Sequence, residues 1–87
     1  MKFALVINPG SAFARAYAGC LEQTSGQDSM PVLFCTSMDA SHHHFLHVET
    51  EQTERFPVPQ SLHLPHSIVE YIVQYFEDQQ KPAMGFA

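Results

Sequence analysis

The sequence predicts one small α+β domain, or a small α/β domain, in which two helices cover a mixed sheet in the order β-α-β-β-(β)-α. Three observations favour this class: an apolar run at residues 2–8, an amphipathic segment at 12–23, and a longer one at 65–79. The length of 87 residues suits a single domain spanning 1–87, with 81–87 as a C-terminal tail.

The first half of the chain predicts strand, helix and strand. The run KFALVIN is continuously apolar and rich in β-formers, so it indicates a strand buried on both faces. After the Pro-Gly pair at 9–10, Ser11 suits a helix N-cap, and apolar residues at helical spacing predict a helix over 12–23. A second apolar strand at 31–38 would complete a βαβ unit, in which the two strands are parallel and the crossover is right-handed.

The second half predicts two further strands and a second helix. A strand is expected at 43–51 and a short one at 61–64, after a proline-containing segment. Pro65 suits the first position of a helix. Apolar residues then recur at i, i+4 and i+8, which predicts a helix over 65–79. These residues are Ile68, Val69, Ile72, Val73 and Phe76.

Composition narrows the expected partners. The net charge is −5, and only four residues are Lys or Arg, scattered along the chain, so neither nucleic acid nor an anionic membrane surface is expected as a partner. Charged residues make up 15% of the chain and apolar residues 45%. Because so weakly charged a surface leaves apolar area uncovered, the composition favours a protein partner or a homodimer.

The expected compartment is the cytoplasm. The N-terminal apolar run is shorter than the core of a signal peptide, and no window has the length of a transmembrane helix. The two cysteines form no CxxC pair, so both are expected to be free thiols in a reducing environment.

Four histidines fall within the stretch SHHHFLH, which raises the question of a metal site. On a strand Leu46 and Val48 would face the core, so His47 and Glu49 would point outward on the same face. At a helix start, His66 would stay neutral and able to bind a metal. The expected ligands for zinc or nickel are His43, His47 and either His63 or His66, with Glu49 as a fourth ligand or as an acceptor that orients one of the histidines. The alternative is a histidine-rich, half-exposed strand face without a metal.

Gly10 and Ser11 form a second candidate site. They lie between a predicted strand and a predicted helix, where unpaired backbone N–H groups can bind a phosphate or carboxylate. The alternative is an ordinary β-to-α turn with a serine cap.

Cys35 is the only candidate for a catalytic residue. It lies near the end of a predicted strand, where a thiolate could act in sulfur or acyl transfer with a histidine from 42–44 as base. The element order of residues 1–38 resembles the N-terminal half of the sulfur-relay DsrE-like proteins, which implies a sulfur-carrier role, although no diagnostic motif accompanies it. The alternative is a plain buried cysteine.

The sequence is best interpreted as a small, non-catalytic binding or adaptor domain without a cofactor. The segment LHLPHSIVEYIVQYF, followed by KPAMGF, is similar over about 25 residues to the end of the protease-adaptor family of stringent starvation protein B, which implies a binding module. Met84 and Phe86 are large apolar residues in the tail, and we expect them to make a protein contact. The two alternatives are a metal-binding or metal-sensing protein and a thiol-dependent carrier that uses Cys35.

Overall fold

A computed structural model describes residues 1–24 and 28–76 of the chain, and its main feature is a six-stranded antiparallel sheet. The elements in chain order are β1 (Lys2–Ile7), α1 (Ala12–Ala16), β2 (Glu22–Gln23), β3 (Pro31–Asp39), β4 (Phe45–Thr50), β5 (Ser61–Pro65), a 3₁₀ turn (His66–Ile68) and β6 (Val69–Tyr75). The strand order is β5-β4-β3-β1-β6, and β2 lies beside β3. The prediction of a mixed sheet covered by two helices is therefore wrong.

The two apolar strands of the first half are antiparallel, which overturns the predicted βαβ unit. Phe3 is paired with Cys35 and Val6 with Val32 in the β1–β3 register. The short strand β2 also pairs antiparallel with β3, at Glu22 opposite Val32. Since β1 and β2 are both antiparallel to β3, they run parallel to each other on its two sides. The connection that contains α1 therefore leads from β1 to β2. Strand β3 runs in the opposite direction and lies between β1 and β2.

The first helix is only five residues long, in place of the predicted span 12–23. The predicted N-cap is confirmed, because the Ser11 Oγ accepts a hydrogen bond from the Ala14 N–H at 3.1 Å. The helix ends at the C-cap Tyr17, and turns follow it as far as Cys20. Leu21 nevertheless reaches the core and is fully buried. Apolar residues beyond the end of the helix, such as Leu21, therefore pack into the core without being helical.

The predicted second helix over 65–79 is also wrong, because residues 69–75 form strand β6 beside β1. A spacing of four residues is an even number, so residues four apart share a face in a strand as well as in a helix. Tyr71 and Tyr75 illustrate this, since they lie opposite Val6 and Lys2 on one face of the sheet. The segment is dense in β-branched and aromatic residues, which suit a strand, and the edge of β1 provides its partner.

The sheet carries apolar residues on both faces. One face holds the larger core, which α1 and the loop after β4 also contribute to; its buried members are Leu5, Ile7, Ala14, Leu21, Leu33, Cys35, Leu46, Val48, Phe56 and Leu64. The other face holds a smaller cluster of Ala4, Val6, Val32, Phe34 and Tyr75. Strand β1 contributes to both, which confirms the prediction of a strand buried on both sides. Among the described residues, no helix is long and apolar enough to cross a membrane.

Candidate functional site

The histidine stretch enters strand β4, and its predicted facing is confirmed. Leu46 and Val48 are buried and lie opposite Leu64 and Leu62 of β5. The residue between them, His47, therefore points to the other face of the sheet. There it lies directly opposite His63.

The two cross-strand imidazoles, His47 and His63, are stacked. Their ring centroids are 4.6 Å apart and the rings are inclined by 15°. The His47 Nε2 lies 2.6 Å from the Ser61 Oγ and 3.5 Å from the Glu49 Oε1. The arrangement is a half-exposed polar surface in which one imidazole contacts a hydroxyl, a carboxylate and a second ring. This surface, made of His47, Glu49, Ser61 and His63, is called the histidine face below.

Of the remaining histidines, His42 and His66 make hydrogen bonds at the turn between β3 and β4. The His42 Nδ1 accepts hydrogen bonds from the backbone N–H groups of His44 and Phe45, at 3.0 and 3.2 Å. His66 begins the 3₁₀ turn, and its Nε2 lies 2.9 Å from the His42 carbonyl oxygen. The ring of His43 is exposed, and its nearest aromatic neighbour, His44, is 6.5 Å away between centroids.

The structure brings together three of the five predicted metal ligands, His47, Glu49 and His63, and engages His66 elsewhere. Within residues 1–24 and 28–76, no group of three or more His, Cys, Asp or Glu side chains is arranged to hold one metal ion. The zinc or nickel hypothesis therefore stays a prediction. Of the expected ligands, the two stacked imidazoles of His47 and His63 lie close together.

A carboxylate on β3 adds negative charge beside the histidine face. Asp39 lies opposite His47 in the β3–β4 register, and it accepts a hydrogen bond from the Ser41 N–H at 2.9 Å. Hydrogen bonds from the Ser41 backbone and side chain lower the pKa of Asp39, and the nearby His47 lowers it further. Asp39 therefore stays ionised at neutral pH.

The turn at Gly10 and Ser11 uses its own N–H groups. The Gly10 N–H donates to the Asn8 Oδ1 at 2.8 Å, and the Ser11 N–H donates to the Asn8 carbonyl at 3.1 Å. The Ser11 hydroxyl donates to the same carbonyl at 2.8 Å. The donors on which an anion site would depend are thus already hydrogen-bonded within the turn, and the helix behind them has five residues.

The environment of Cys35 disfavours a nucleophilic thiolate. The residue lies in β3 at the centre of the sheet and is fully buried. Burial raises the pKa of its thiol to about 12, and the negative charge of Glu51 contributes in the same direction. Since the thiolate is the reactive species, Cys35 is a neutral, packed side chain at physiological pH. Cys20 is also a free thiol and is half-buried beside the larger core.

The most exposed apolar surface of the sheet lies on its last strand, β6. Tyr71 is 51% exposed, Ile72 is 38% exposed, and Phe76, just after the strand, is 56% exposed. Glu70 is the only charged residue in Val69–Tyr75. Among the described residues β6 has one strand neighbour, β1, so its outer backbone edge faces no other strand there. Surface of this kind is a template for pairing with another chain.

One end of this strand is firmly anchored. Tyr75 is buried in the smaller apolar cluster, opposite Lys2 of β1. Burial raises the pKa of its hydroxyl to about 12, and the negative charges of the Glu51 and Glu22 carboxylates add to the effect. The strand is thus held in place at Tyr75, while Tyr71 and Ile72 remain accessible.

Sequence reasoning missed the edge of β6 because it assigned these residues to a helix. The available signal was composition: six of the eight residues at 69–76 are Val, Ile, Tyr or Phe, the residue types enriched in strands. Met84 and Phe86, predicted to make a protein contact, lie outside the described residues.

Two pockets in the described part of the chain are small. An open groove of about 240 Å³ lies beside α1, lined by Pro9, Ala14, Arg15, Ala18, Gln23 and Pro31. An internal cavity near Phe56 has about 10 Å³, the space of one water molecule. Both are below the roughly 300–1,000 Å³ typical of small-molecule sites. The extended surface of β6 is therefore the stronger candidate for binding.

No known protein family, curated protein or solved structure matches the chain significantly. The antiparallel pairing of β1 and β3 also differs from the strand-helix-strand order on which the resemblance to DsrE-like proteins rests.

Proposed function

We propose that the protein is a small, non-catalytic binding domain that presents the edge strand β6 to a protein partner. The observation that carries the proposal is the exposure of Tyr71, Ile72 and Phe76 on and beside an edge strand with a single charged residue. An extended segment that adds to such an edge gains backbone hydrogen bonds along the strand and covers apolar side chains at the same time.

The energetic case follows from the side chains. Covering apolar surface is worth roughly 25 cal/mol per Å², and fully burying a Phe or Ile side chain is worth about 1.5–3 kcal/mol. Tyr71 and Phe76 each retain more than half of their exposure, so much of this free energy is available to a partner. Natural edge strands are commonly protected by lysine or proline, and the segment 69–76 has neither. The protections it does have, the charge of Glu70 and an irregular pairing with β1, both lie near the start of the strand.

Three further observations support a non-catalytic protein binder in the cytoplasm. The predicted nucleophile, Cys35, is buried with its pKa raised to about 12. The net charge of −5 disfavours nucleic acid as the partner. Both cysteines are free thiols, which suits a reducing compartment.

Site-specific photo-crosslinking tests the proposal. A benzophenone amino acid replaces Tyr71 in the full chain, and the adducts formed in the cells that naturally produce the protein are sized and identified by mass spectrometry. We expect one dominant adduct with a defined protein chain. The matched control places the same amino acid at Val58, which is 66% exposed in the loop between β4 and β5.

Specificity is judged by a second change in the same chain. Ile72→Lys places a charge in the middle of the β6 edge, and we expect it to abolish the adduct from position 71 while the fold is retained. A set of adducts that is equal at positions 71 and 58, or that survives Ile72→Lys, would exclude β6 as the binding surface.

A further inference from the structure

We propose that the partner strand of β6 is β6 of a second copy of this chain, paired antiparallel about a two-fold axis that lies midway between the two copies of Ile72. This inference rests on the proposed function and names its partner. The two sheets would join edge to edge into one continuous sheet with apolar surface on both sides of the junction.

The length of the strand selects the register. Ile72 is the middle residue of the seven-residue strand Val69–Tyr75. In an antiparallel pair with a two-fold axis perpendicular to the sheet, one residue must face its own copy across the axis. Only then do directly opposite side chains lie on the same face of the sheet. Centring at Ile72 pairs all seven residues, whereas centring at either neighbour leaves two of them outside the ladder.

Charge supports the same register. Glu70, the only charged residue of the strand, would lie opposite Gln74 of the partner subunit, and Gln74 opposite Glu70 of the partner subunit. Each carboxylate thus meets an amide donor and avoids the like-charge contact that a register centred on Glu70 would create. The β1–β6 pairing is irregular between Val6 and Ile7, where Glu70 has no partner on β1, and this irregularity lies outside the central positions 71–73.

The side chains at the centre are complementary. Tyr71 would lie opposite Val73 of the partner subunit, and Val73 would lie opposite Tyr71 of the partner subunit. The dimer would therefore contain two aromatic–β-branched pairs. Both residues lie on the face of the smaller apolar cluster, since their β1 neighbours are Val6 and Ala4. On the other face, Ile72 would contact Ile72 of the partner subunit. The pairing would cover the two most exposed apolar residues of the strand itself.

Sedimentation velocity of the full chain over a concentration series gives the first test. We expect a monomer–dimer equilibrium in the wild type and a monomer for Ile72→Lys at the same concentrations, because the axis would place two lysines against each other. Val58→Lys adds the same charge at an exposed apolar residue away from β6, and we expect it to dimerise like the wild type. Circular dichroism of the variants should be unchanged.

Substitutions at Gln74 test the register. Gln74→Lys would form two Glu–Lys pairs per dimer and lower the dimer Kd about two- to thirty-fold, whereas Gln74→Glu would raise it by a similar factor. The double variant Glu70→Lys with Gln74→Glu restores opposite charges, and we expect a Kd near that of Gln74→Lys. Equal Kd values across the series would overturn this register.

The outcomes separate this inference from the one beneath it. A wild-type chain that is monomeric at every concentration, with an adduct from position 71 to a different protein, overturns the homodimer and leaves β6 as a binding edge. An adduct of twice the chain mass that is lost in Ile72→Lys supports the homodimer. The absence of any position-specific adduct and of any dimer overturns both.

Discussion

Within the described residues, β5 and β6 lie at the two ends of the strand order, and they are protected from further pairing to different degrees. Strand β5 has five residues, ends in Pro65, and alternates Leu62 and Leu64 toward the core with Ser61 and His63 on the other face. Strand β6 has seven residues and no proline, and Tyr71 and Ile72 are exposed on opposite faces. One edge has a polar face and a proline, whereas the other offers apolar residues on both sides.

The two strands are also held in the sheet by different buried side chains. At β5 the buried Leu64 packs against Leu46, and Thr50 ties the entry of the strand by exchanging two hydrogen bonds with Gln60, at 2.7 and 2.9 Å. At β6 the buried anchor is Tyr75, near its C-terminal end. We therefore expect side chains at β5 to contribute more to the stability of the folded chain, and side chains at β6 to contribute more to the proposed association.

The largest expected effect contrasts Leu64→Ala with Ile72→Ala. Leu64 is buried, so its truncation should lower the free energy of unfolding by about 2–5 kcal/mol through lost burial and a cavity. Ile72 is 38% exposed, and we expect about 1 kcal/mol or less for the monomer. Urea denaturation at low protein concentration measures both. Similar losses for the two variants would remove the contrast between the edges.

Cys35 lies at the centre of the sheet, and the rate at which its thiol is labelled gives a second test of the contrast between β5 and β6. Because its pKa is raised to about 12, the buried thiol of the native chain should label slowly at pH 7, through opening of the structure. Leu64→Ala should accelerate labelling about thirty-fold or more if opening follows the loss of about 2 kcal/mol. Ile72→Lys should leave the rate nearly unchanged. Mass spectrometry after timed quenching resolves Cys35 from Cys20, and rapid labelling of the wild type would contradict the packed-thiol assignment.

The same raised pKa sets a pH dependence. Because the folded thiol resists ionisation more than the unfolded one, the stability it contributes is complete below the ordinary pKa of 9.0 and is lost as pH rises toward about 12. We expect Cys35→Ala to lose less stability than the wild type between pH 9 and pH 11. Urea midpoints at the two pH values give the measurement. An equal decline in both chains would assign the alkaline loss to other groups.

A smaller effect is expected at the histidine face beside β5. His47→Ala removes the contact with the Ser61 hydroxyl and the stacking on His63, so it should cost about 0.5–1.5 kcal/mol. Ser61→Ala is the matched variant, since it removes the same hydrogen bond and leaves the stacked rings. Thermal or urea unfolding measures both. A larger loss for Ser61→Ala than for His47→Ala would show that the stacking does not stabilise the edge.

The smallest effect concerns metal at the same face. The metal hypothesis predicts that Zn²⁺ stabilises the wild type and leaves His47→Ala unchanged. With two imidazoles brought together, binding should be weak, and free zinc equal to its Kd would add about 0.4 kcal/mol. Scanning calorimetry of untagged protein with and without a chelator tests this. Equal stabilisation of both chains would exclude His47 as a ligand.

Local signals predicted part of the fold. The strands at 31–38, 43–51 and 61–64 were placed within about two residues of β3, β4 and β5, because apolar alternation and prolines bounded them. The alternation also fixed which residues of β4 face the core. The site was predicted less well: His47, Glu49 and His63 do meet, yet the turn at Gly10 and Ser11 is hydrogen-bonded internally, and the exposed edge was hidden inside a predicted helix.

The sequence alone was enough to predict strands β1, β3, β4 and β5, the N-cap at Ser11 and the inward face of β4, because these depend on residues close together along the chain. The tertiary structure alone decided the direction of β3 relative to β1 and the conformation of residues 69–75. Both depend on which strand occupies a neighbouring edge, and a spacing of four residues is compatible with either a helix or a strand. In β6, pairing with β1 supplies the backbone hydrogen bonds of the strand, and within the described residues it leaves Tyr71 and Ile72 exposed on the last strand of the sheet.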